Sequence, residues 1–172
     1  MGSGLAEVIA RSGKQVIVRS RSISTASQMK DAVAKSLEKQ VAKAKITQTD
    51  SDQTLANITL TDDLASLREC DLVIESIVED LDAKVALFRE LDTVTRPETI
   101  LATNTSTLAV IELAKSTNRP DRVCGIHFFN PATLMPLVEI IRPLTASDET
   151  IDRKSTRLNS SHSQQSRMPS SA

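Results

Sequence analysis

The sequence predicts an α/β fold in which short strands alternate with helices in a doubly wound, mostly parallel sheet. Three observations lead to this prediction. Apolar runs of strand length alternate with stretches whose apolar residues recur at helical spacing. The segment DLVIESIV is almost continuously apolar, as in strands buried on both faces of a parallel sheet. The composition, 40% hydrophobic and 25% charged over 172 residues, is typical of one globular domain.

Charge and cysteine content exclude several classes of function. A net charge of −1 gives no basic surface for nucleic acid or anionic lipid, so neither partner is expected. No apolar run approaches the ~18 residues of a membrane span. Cys70 and Cys124 have neither metal-ligand spacing nor the number that a disulfide scaffold needs. We therefore expect no metal site, and a protein of a reducing compartment such as the cytoplasm.

The first half of the chain alternates helices and strands. GLAEVIARSG predicts a helix that has Leu5, Val8 and Ile9 on one face and ends at Gly13. QVIVRS and NITL predict strands, and DDLASLRE a short helix. Between the strands, a long helix from about residue 25 to 45 carries apolar residues at every fourth position: Met29, Val33, Leu37 and Val41.

The second half continues the alternation. DLVIESIV predicts a strand, and LDAKVALFRELDTV a helix with Val85, Phe88 and Leu91 facing inward. TILATN is again a strand and LAVIELAKS a helix. RVCGIHFF and LVEIIRP complete the pattern with two further strands. This order is typical of a Rossmann-like sheet.

Polar residues follow several of these strands. They are Ser20 and Arg21, residues 75–79, residues 104–106, and His127. In doubly wound sheets, ligands bind beyond the carboxyl ends of the strands. His127 alone is more often a buried, hydrogen-bonded core residue, but its place in this pattern favours a functional role.

The two ends of the sequence differ from the rest. MGSG leads directly into a helix and a strand, which is the second half of a βαβ dinucleotide-binding unit, so we expect the first strand of that unit to be absent. Gly2 and Gly4 are a weak motif alone. Residues 153–172 are rich in Ser and Gln and resemble a non-native tail, which predicts disorder. The expected domain is residues 1–152.

Five segments, in this order, carry a specific resemblance: MGSGLAEV, DLVIESIVED, ILATNTSTL, RPDRVCGIHFFNP and LMPLVEII. They resemble the nucleotide-binding domain of the 3-hydroxyacyl-CoA dehydrogenases, over residues 1 to about 152. NTST followed by HFFNP is the most specific pair. The resemblance implies oxidation of a 3-hydroxyacyl-CoA, such as 3-hydroxybutyryl-CoA, to the 3-oxoacyl-CoA with NAD(P).

The resemblance also assigns catalytic roles. It implies that His127 is the general base, a task suited to imidazole because it titrates near neutral pH. It pairs His127 with Glu139, which would otherwise be a solvent-facing residue of an edge strand. Ser106 matches a serine that bonds the substrate oxygen and contacts the cofactor, although it could also cap the following helix. Asn130 matches a residue that holds the active-site loop or the substrate.

The remaining matches concern binding. The resemblance places the cofactor against the start of the chain, at Met1, Gly2 and Gly4. Glu79 and Lys84 match cofactor contacts, although without the family they would read as a surface ion pair. Two residues of the long helix match positions that bind CoA, and the second would otherwise be an ordinary solvated charge: Ser36 and Lys43.

One position departs from the family pattern. The second strand of the dinucleotide fold usually ends in an aspartate that binds the adenosine ribose, whereas this chain has Ser20 and Arg21. Serine and arginine can bind a ribose 2′-phosphate, which a carboxylate would repel. The sequence therefore slightly favours NADP over NAD, unless Arg21 is merely a solvated residue at the helix entry.

A second class of function remains open on the sequence, namely a non-catalytic module that binds a nucleotide or an acyl-CoA. The retained Ser106, His127 and Glu139 favour an enzyme. The resemblance further implies a helical second domain that supplies homodimer contacts. We therefore expect the 172-residue chain by itself to be unstable and inactive.

Overall fold

The computed structural model describes residues 1–135 and 137–152. Its helices are α1 (Gly2–Arg11), α2 (Ile23–Ala42), α3 (Gln48–Ala56), α4 (Leu81–Val94) and α5 (Val110–Lys115). Its strands are β1 (Val16–Arg19), β2 (Ile58–Thr61), β3 (Leu72–Glu75), β4 (Ile100–Thr103), β5 (Val123–Phe128) and β6 (Val138–Ile141). Two 3₁₀ turns, Leu64–Leu67 and Pro120–Arg122, precede β3 and β5.

The strands form two sheets. β1 pairs with β2 in parallel, and β3, β4, β5 and β6 form a four-stranded sheet in that order. The β3–β4 and β4–β5 pairs are parallel, whereas β6 runs antiparallel to β5. The predicted α/β, Rossmann-like, mostly parallel fold is confirmed. Every predicted strand is present, and β3 ends at Glu75 rather than continuing through residues 76–78.

Local sequence accounts for the helix boundaries. Gly13, just after α1, has a φ of 81°, which glycine adopts without strain. Ser22 caps α2 by accepting a hydrogen bond from the backbone N–H of Thr25. α3 was not predicted, although Thr47 and Asp50 form a capping box at its start. Its low apolar content gave no helical periodicity.

Three hydrophobic clusters hold the layers together. α4 and α5 pack on one face of the four-stranded sheet through Phe88, Leu91 and Leu113. Leu5 of α1 packs on the other face of the same sheet, against Ile100 and Ile126. Further along α1, a different set of residues packs on the two-stranded sheet and α2: Ala6, Ala10, Val18, Val33, Leu37 and Ile58. A single helix therefore covers both sheets.

Some expectations lie beyond this description or are corrected by it. The predicted disorder of 153–172 lies outside the described residues, and the 1–152 boundary stays a prediction. Strand β3 was expected to be buried on both faces, but Leu72, Val73 and Ile74 are only half-buried. Among the described helices, none combines the length and hydrophobicity needed to span a membrane.

Candidate functional site

Three of the predicted catalytic side chains form one line of hydrogen bonds. Ser106 Oγ lies 3.1 Å from His127 Nε2, and His127 Nδ1 lies 3.1 Å from Glu139 Oε2. Because an ionised carboxylate only accepts hydrogen bonds, Nδ1 carries the proton and Nε2 of the neutral imidazole is an acceptor. The Ser106 hydroxyl then donates to Nε2. This arrangement leaves a basic nitrogen beside a hydroxyl donor.

Strand register places His127 opposite Glu139. The two residues are direct partners in the antiparallel β5–β6 ladder, so their side chains leave the same face of the sheet. Gly125, two residues before His127, makes the close packing of these strands possible. A Cβ at position 125 would lie 2.8 Å from Cβ of Ile141 and 3.2 Å from Cγ2 of Val110. The sequence therefore needs glycine here.

The side chain of His127 is partly shielded from solvent. Its side chain is 19% exposed, whereas that of Glu139 is 53% exposed. The ring of Phe129 meets the imidazole edge-on, with the centroids 4.9 Å apart. Asn104, at the end of β4, accepts a hydrogen bond of 2.9 Å from the backbone N–H of Phe128. The ends of β4 and β5 are thus tied together next to the imidazole.

The loop that presents Ser106 is organised by Glu79. One carboxylate oxygen, Oε1, accepts hydrogen bonds from the backbone N–H groups of Ser106 and Thr107, at 3.1 and 3.3 Å. It also accepts from the hydroxyls of Thr105 and Thr107. Ser106 does not cap the following helix, which starts at Val110 after Ala109. The serine side chain is therefore available to His127.

A buried ion-pair network supports Glu79. Lys84 Nζ lies 3.3 Å from Glu79 Oε2 and 2.7 and 2.9 Å from the two carboxylate oxygens of Glu75. Thr103 also donates to Glu75. Lys84 and Glu75 are almost fully buried, at 1% and 4% exposure. The alternative interpretation of Glu79 and Lys84 as a surface ion pair therefore does not hold for Lys84.

The charge state of Glu79 follows from these contacts. Burial raises the pKa of this carboxyl, but hydrogen bonds from Thr105 and Lys84 and the charge of Lys84 outweigh that effect and lower the pKa to about 2. Glu79 is therefore ionised throughout the neutral pH range. It can continuously hold the backbone of residues 106 and 107.

A second concave region lies where α1 and α2 meet the chain that follows β5. A cavity of about 200 Å³ is lined by several of the predicted binding residues: Met1, Gly4, Ser36 and Asn130. Gly4 lies beside Ala132, and a Cβ on Gly4 would be in ordinary van der Waals contact with Cβ of Ala132, at 3.5 Å. The start of α1 has no side-chain cap, so its first backbone N–H groups are available to a ligand.

The other predicted residues lie around this region. Gly2 is the first residue of α1, and Lys43 is the C-cap of α2, beyond the cavity lining. Ser20 follows β1 and donates its backbone N–H to the Thr61 carbonyl, whereas Arg21 is exposed. The structure therefore brings Met1, Gly4, Ser36 and Asn130 together, and places Arg21 and Lys43 separately.

Sequence reasoning noted Glu75 among the polar residues at the strand ends without giving it a role, and it missed Thr103 and Glu7. Glu75 and Thr103 complete the buried network under Glu79, and Glu7 of α1 lines the cavity at 1% exposure. Glu7 accepts a hydrogen bond of 2.7 Å from Gln40. A carboxylate that ends an apolar strand, as Glu75 does, was the available signal. Its partner Lys84 could not be identified without the packing of α4.

Residues 1–164 match the family model described as the NAD binding domain of 3-hydroxyacyl-CoA dehydrogenase. The chain belongs to the 3-hydroxyacyl-CoA dehydrogenase family. The resemblance read from the motifs is thereby confirmed. The 3-hydroxyacyl-CoA dehydrogenases are oxidoreductases, and the part that this chain matches is their NAD-binding domain.

Individual 3-hydroxyacyl-CoA dehydrogenases agree with this assignment. The chain is 42% identical over 154 residues to a 3-hydroxybutyryl-CoA dehydrogenase of Mycobacterium tuberculosis, a match that covers 89% of the chain and 54% of the relative. It is 37% identical over 153 residues to a 3-hydroxyadipyl-CoA dehydrogenase of Escherichia coli, covering 89% and 32%. The chain thus spans about half the length of the first of these relatives, and a third of the second.

Solved structures support the same family at the level of fold. A 3-hydroxybutyryl-CoA dehydrogenase of Escherichia coli K12 superimposes with a TM-score of 0.90 at 36% identity, covering 93% of this chain and 34% of that one. An (S)-3-hydroxybutyryl-CoA dehydrogenase of Ralstonia eutropha gives 0.88 at 36% identity, covering 92% and 57%. The arrangement of both sheets is therefore that of the 3-hydroxyacyl-CoA dehydrogenase fold.

Proposed function

We propose that residues 1–152 form the NAD(P)-binding domain of an enzyme that interconverts 3-hydroxyacyl-CoA and 3-oxoacyl-CoA, with 3-hydroxybutyryl-CoA as the expected substrate. The observation that carries the proposal is the line of hydrogen bonds from Ser106 through His127 to Glu139. A nucleotide- or acyl-CoA-binding module without catalysis would have no use for a base oriented by a carboxylate.

The proposed chemistry uses the two atoms that face each other at 3.1 Å, Ser106 Oγ and His127 Nε2. A substrate oxygen can lie within hydrogen-bond distance of both. Ser106 holds the 3-hydroxyl, and His127 Nε2 takes its proton while carbon 3 loses a hydride and becomes a carbonyl carbon. Glu139 stabilises the imidazolium that forms and keeps the proton of the resting imidazole on Nδ1. The reverse reaction returns the proton from His127 to the carbonyl oxygen.

The residues at the carboxyl ends of the strands fit NAD(P). When bound, this group would supply the acceptor for the hydride. The uncapped N-terminus of α1, at Met1, Gly2 and Gly4, suits a pyrophosphate because its N–H groups and helix dipole attract anions. Glu79 and Lys84 lie beside the Ser106 loop, where they fit the nicotinamide half. Ser20 and Arg21 follow β1, at the position that selects the ribose.

The acyl-CoA is the proposed partner of the remaining predicted binding residues. Ser36 and Asn130 line the cavity, and Lys43 lies two helical turns beyond Ser36, where its ammonium group suits a CoA phosphate. We also propose that the whole protein is a homodimer whose contacts lie outside residues 1–152.

A spectrophotometric assay tests the proposed function. We suggest a chimera in which this chain replaces the matching 154 residues of the Mycobacterium tuberculosis relative. The proposal expects oxidation of NADH or NADPH that depends on acetoacetyl-CoA. A folded chimera that binds both the cofactor and the acyl-CoA but catalyses no reaction would instead support the non-catalytic binding module.

Cofactor preference gives a separate prediction. Arg21 is expected to favour NADPH over NADH by roughly ten- to hundredfold in kcat/KM, since a charge-assisted contact to the 2′-phosphate contributes about 1.5–3 kcal/mol. Ser20→Asp should move the preference toward NADH. Arg21→Ala should remove it, whereas Lys14→Ala, an exposed cation before β1, should leave it unchanged. Equal values for the two cofactors in the unchanged chimera would contradict the prediction.

A further inference from the structure

The segments that carry Ser106 and His127 extend beyond the part of the sheet in which β4 and β5 pair. The register between these two strands ends at the pair of Thr103 and Gly125. Ser106 lies three residues beyond Thr103, and His127 lies two residues beyond Gly125. The β4–β5 ladder therefore does not by itself set the distance of 3.1 Å between Ser106 Oγ and His127 Nε2.

Asn104 bridges the two segments at this point. Its side-chain Oδ1 accepts a hydrogen bond of 2.9 Å from the backbone N–H of Phe128. Because a backbone N–H only donates, the atom that faces it must be the amide oxygen, which fixes the orientation of the Asn104 amide. The Phe128 N–H belongs to the peptide that follows His127, and Asn104 precedes Ser106 by two residues. The bridge therefore connects the backbone at His127 to the backbone that carries Ser106.

The backbone around Asn104 is anchored on Glu75, at the end of β3. The Asn104 N–H donates to the Glu75 carbonyl at 3.0 Å. The Thr103 hydroxyl donates to the Glu75 carboxylate, and its oxygen accepts from the backbone N–H of Thr105 at 3.2 Å. Thr105 in turn donates its hydroxyl to Glu79. The residues before and after Asn104 are thus held, so its side chain extends from a fixed position.

The backbone at His127 has neighbours on both sides. β6 pairs with residues 125–128 of β5, with Glu139 directly opposite His127. The Asn104 amide bonds the same segment on the side of β4. An apolar side chain at position 104 would leave the partly buried Phe128 N–H without this acceptor. The segment that carries the imidazole would then lose its tie to β4.

We propose that Asn104 is a positioning residue that sets the distance between Ser106 Oγ and His127 Nε2. Asn104 acts through the backbone and does not need to touch the substrate. Its bond to Phe128 determines where the imidazole lies relative to Ser106, whereas Glu139 determines which nitrogen carries the proton. The catalytic consequence rests on the proposed function, in which this pair of atoms receives the substrate oxygen.

Substitutions in the chimera test this role. Asn104→Leu keeps the size of the side chain but removes the acceptor, and Asn104→Asp keeps an oxygen at the same place. Asn57→Leu is the matched control, because Asn57 is also half-buried and its side chain bonds a backbone group, the carbonyl of Ala10. Each variant is also combined with Ser106→Ala. If Asn104→Leu does not fold, Asn104→Ser replaces it, since its shorter side chain places the oxygen farther from the Phe128 N–H.

We expect Asn104→Leu to lower kcat by about 10- to 10²-fold, because a displacement of about 1 Å between reacting groups has effects of that size. The KM for the cofactor should be nearly unchanged, since Glu75 and Glu79 still hold the Ser106 loop. Asn104→Asp should recover most of the loss. Ser106→Ala should cost at least about fivefold less beside Asn104→Leu than alone, because the bond that it removes is already lost. Asn57→Leu should change neither kcat nor the cost of Ser106→Ala.

A second readout does not require turnover. The nitrogen NMR resonance of His127 Nε2 reports its hydrogen bond to Ser106 in the ligand-free protein. Asn104→Leu should shift this resonance in the same direction as Ser106→Ala, and Asn57→Leu should not shift it. If the unchanged chimera is inactive, the proposed function fails and the resonance alone decides the positioning role. Equal kinetic losses for Asn104→Leu and Asn104→Asp, additive effects of Asn104→Leu and Ser106→Ala, or an unshifted resonance would each overturn it.

Discussion

Replacing His127 with glutamine is expected to lower the turnover of acetoacetyl-CoA by about 10²-fold or more, because it removes the proposed general base. Glutamine keeps the size and hydrogen bonding of the side chain but cannot take up a proton. Binding of NAD(P) should be nearly unchanged, since His127 itself is not among the proposed cofactor contacts. The measurement is kcat in the chimera, with cofactor affinity from fluorescence titration.

The partner of His127 should act in the same direction by a smaller factor. Glu139→Gln keeps a hydrogen-bond acceptor for Nδ1 but removes the charge that stabilises an imidazolium. Glu98→Gln, an exposed carboxylate far along the sequence from this pair, is the matched control and should not change kcat. Near-normal turnover of the His127 variant would exclude His127 from proton transfer, whatever the Glu139 variant does.

Removing the ammonium group of Lys84 is expected to be the most destabilising single change. Lys84→Met leaves Glu75 buried at 4% exposure without its cation. Breaking a buried ion pair in this way costs about 3–5 kcal/mol. Replacing both residues, with Lys84→Met and Glu75→Gln together, should recover part of that loss because no uncompensated charge remains. Thermal unfolding of the chimera measures both effects.

A surface lysine provides the control for this prediction. Lys115 pairs with Glu112 at 3.3 Å on α5, with 62% of its side chain exposed. Exposed pairs contribute about 0–1 kcal/mol, so Lys115→Met should have little effect on the melting temperature. Equal losses for Lys84→Met and Lys115→Met would show that the buried network does not stabilise the domain.

The same network links stability to the proposed active site. One carboxylate oxygen of Glu79 contacts the ammonium group of Lys84. The other accepts hydrogen bonds from the backbone N–H groups of Ser106 and Thr107. Hydrogen bonds from Thr105 and Lys84 and the charge of Lys84 lower the pKa of Glu79, and the ionised carboxylate holds the loop that presents Ser106. A change at Lys84 should therefore affect kcat as well as folding.

The alternation of elements was predictable from sequence because strands and helices have different apolar periods. The segments QVIVRS, TILATN and RVCGIHFF were assigned correctly, as β1, β4 and β5. α3 was missed because only Leu55 and Ala56 are apolar among its nine residues, so hydrophobic spacing carries no signal there. Its capping box was a local signal that could have found it.

The site was predictable in part. His127 and Glu139 were paired by the family motif, and their distance in the structure agrees with that pairing. Lys84 was placed near Glu79, but its burial and its contact with Glu75 depend on how α4 packs over β3 and β4. Such contacts are made between segments distant in sequence. Periodicity and motifs within one segment cannot report them.

The effect of an insertion or deletion on the pairing of His127 with Glu139 depends on whether it lies in β6 or in the connection between β5 and β6. The connection between the two strands can gain or lose residues without moving the pair, because cross-strand register sets their positions. One residue inserted in or deleted from β6 before Glu139 would instead turn its carboxylate to the opposite face of the sheet. Insertions among related sequences should therefore be absent from β6 before Glu139.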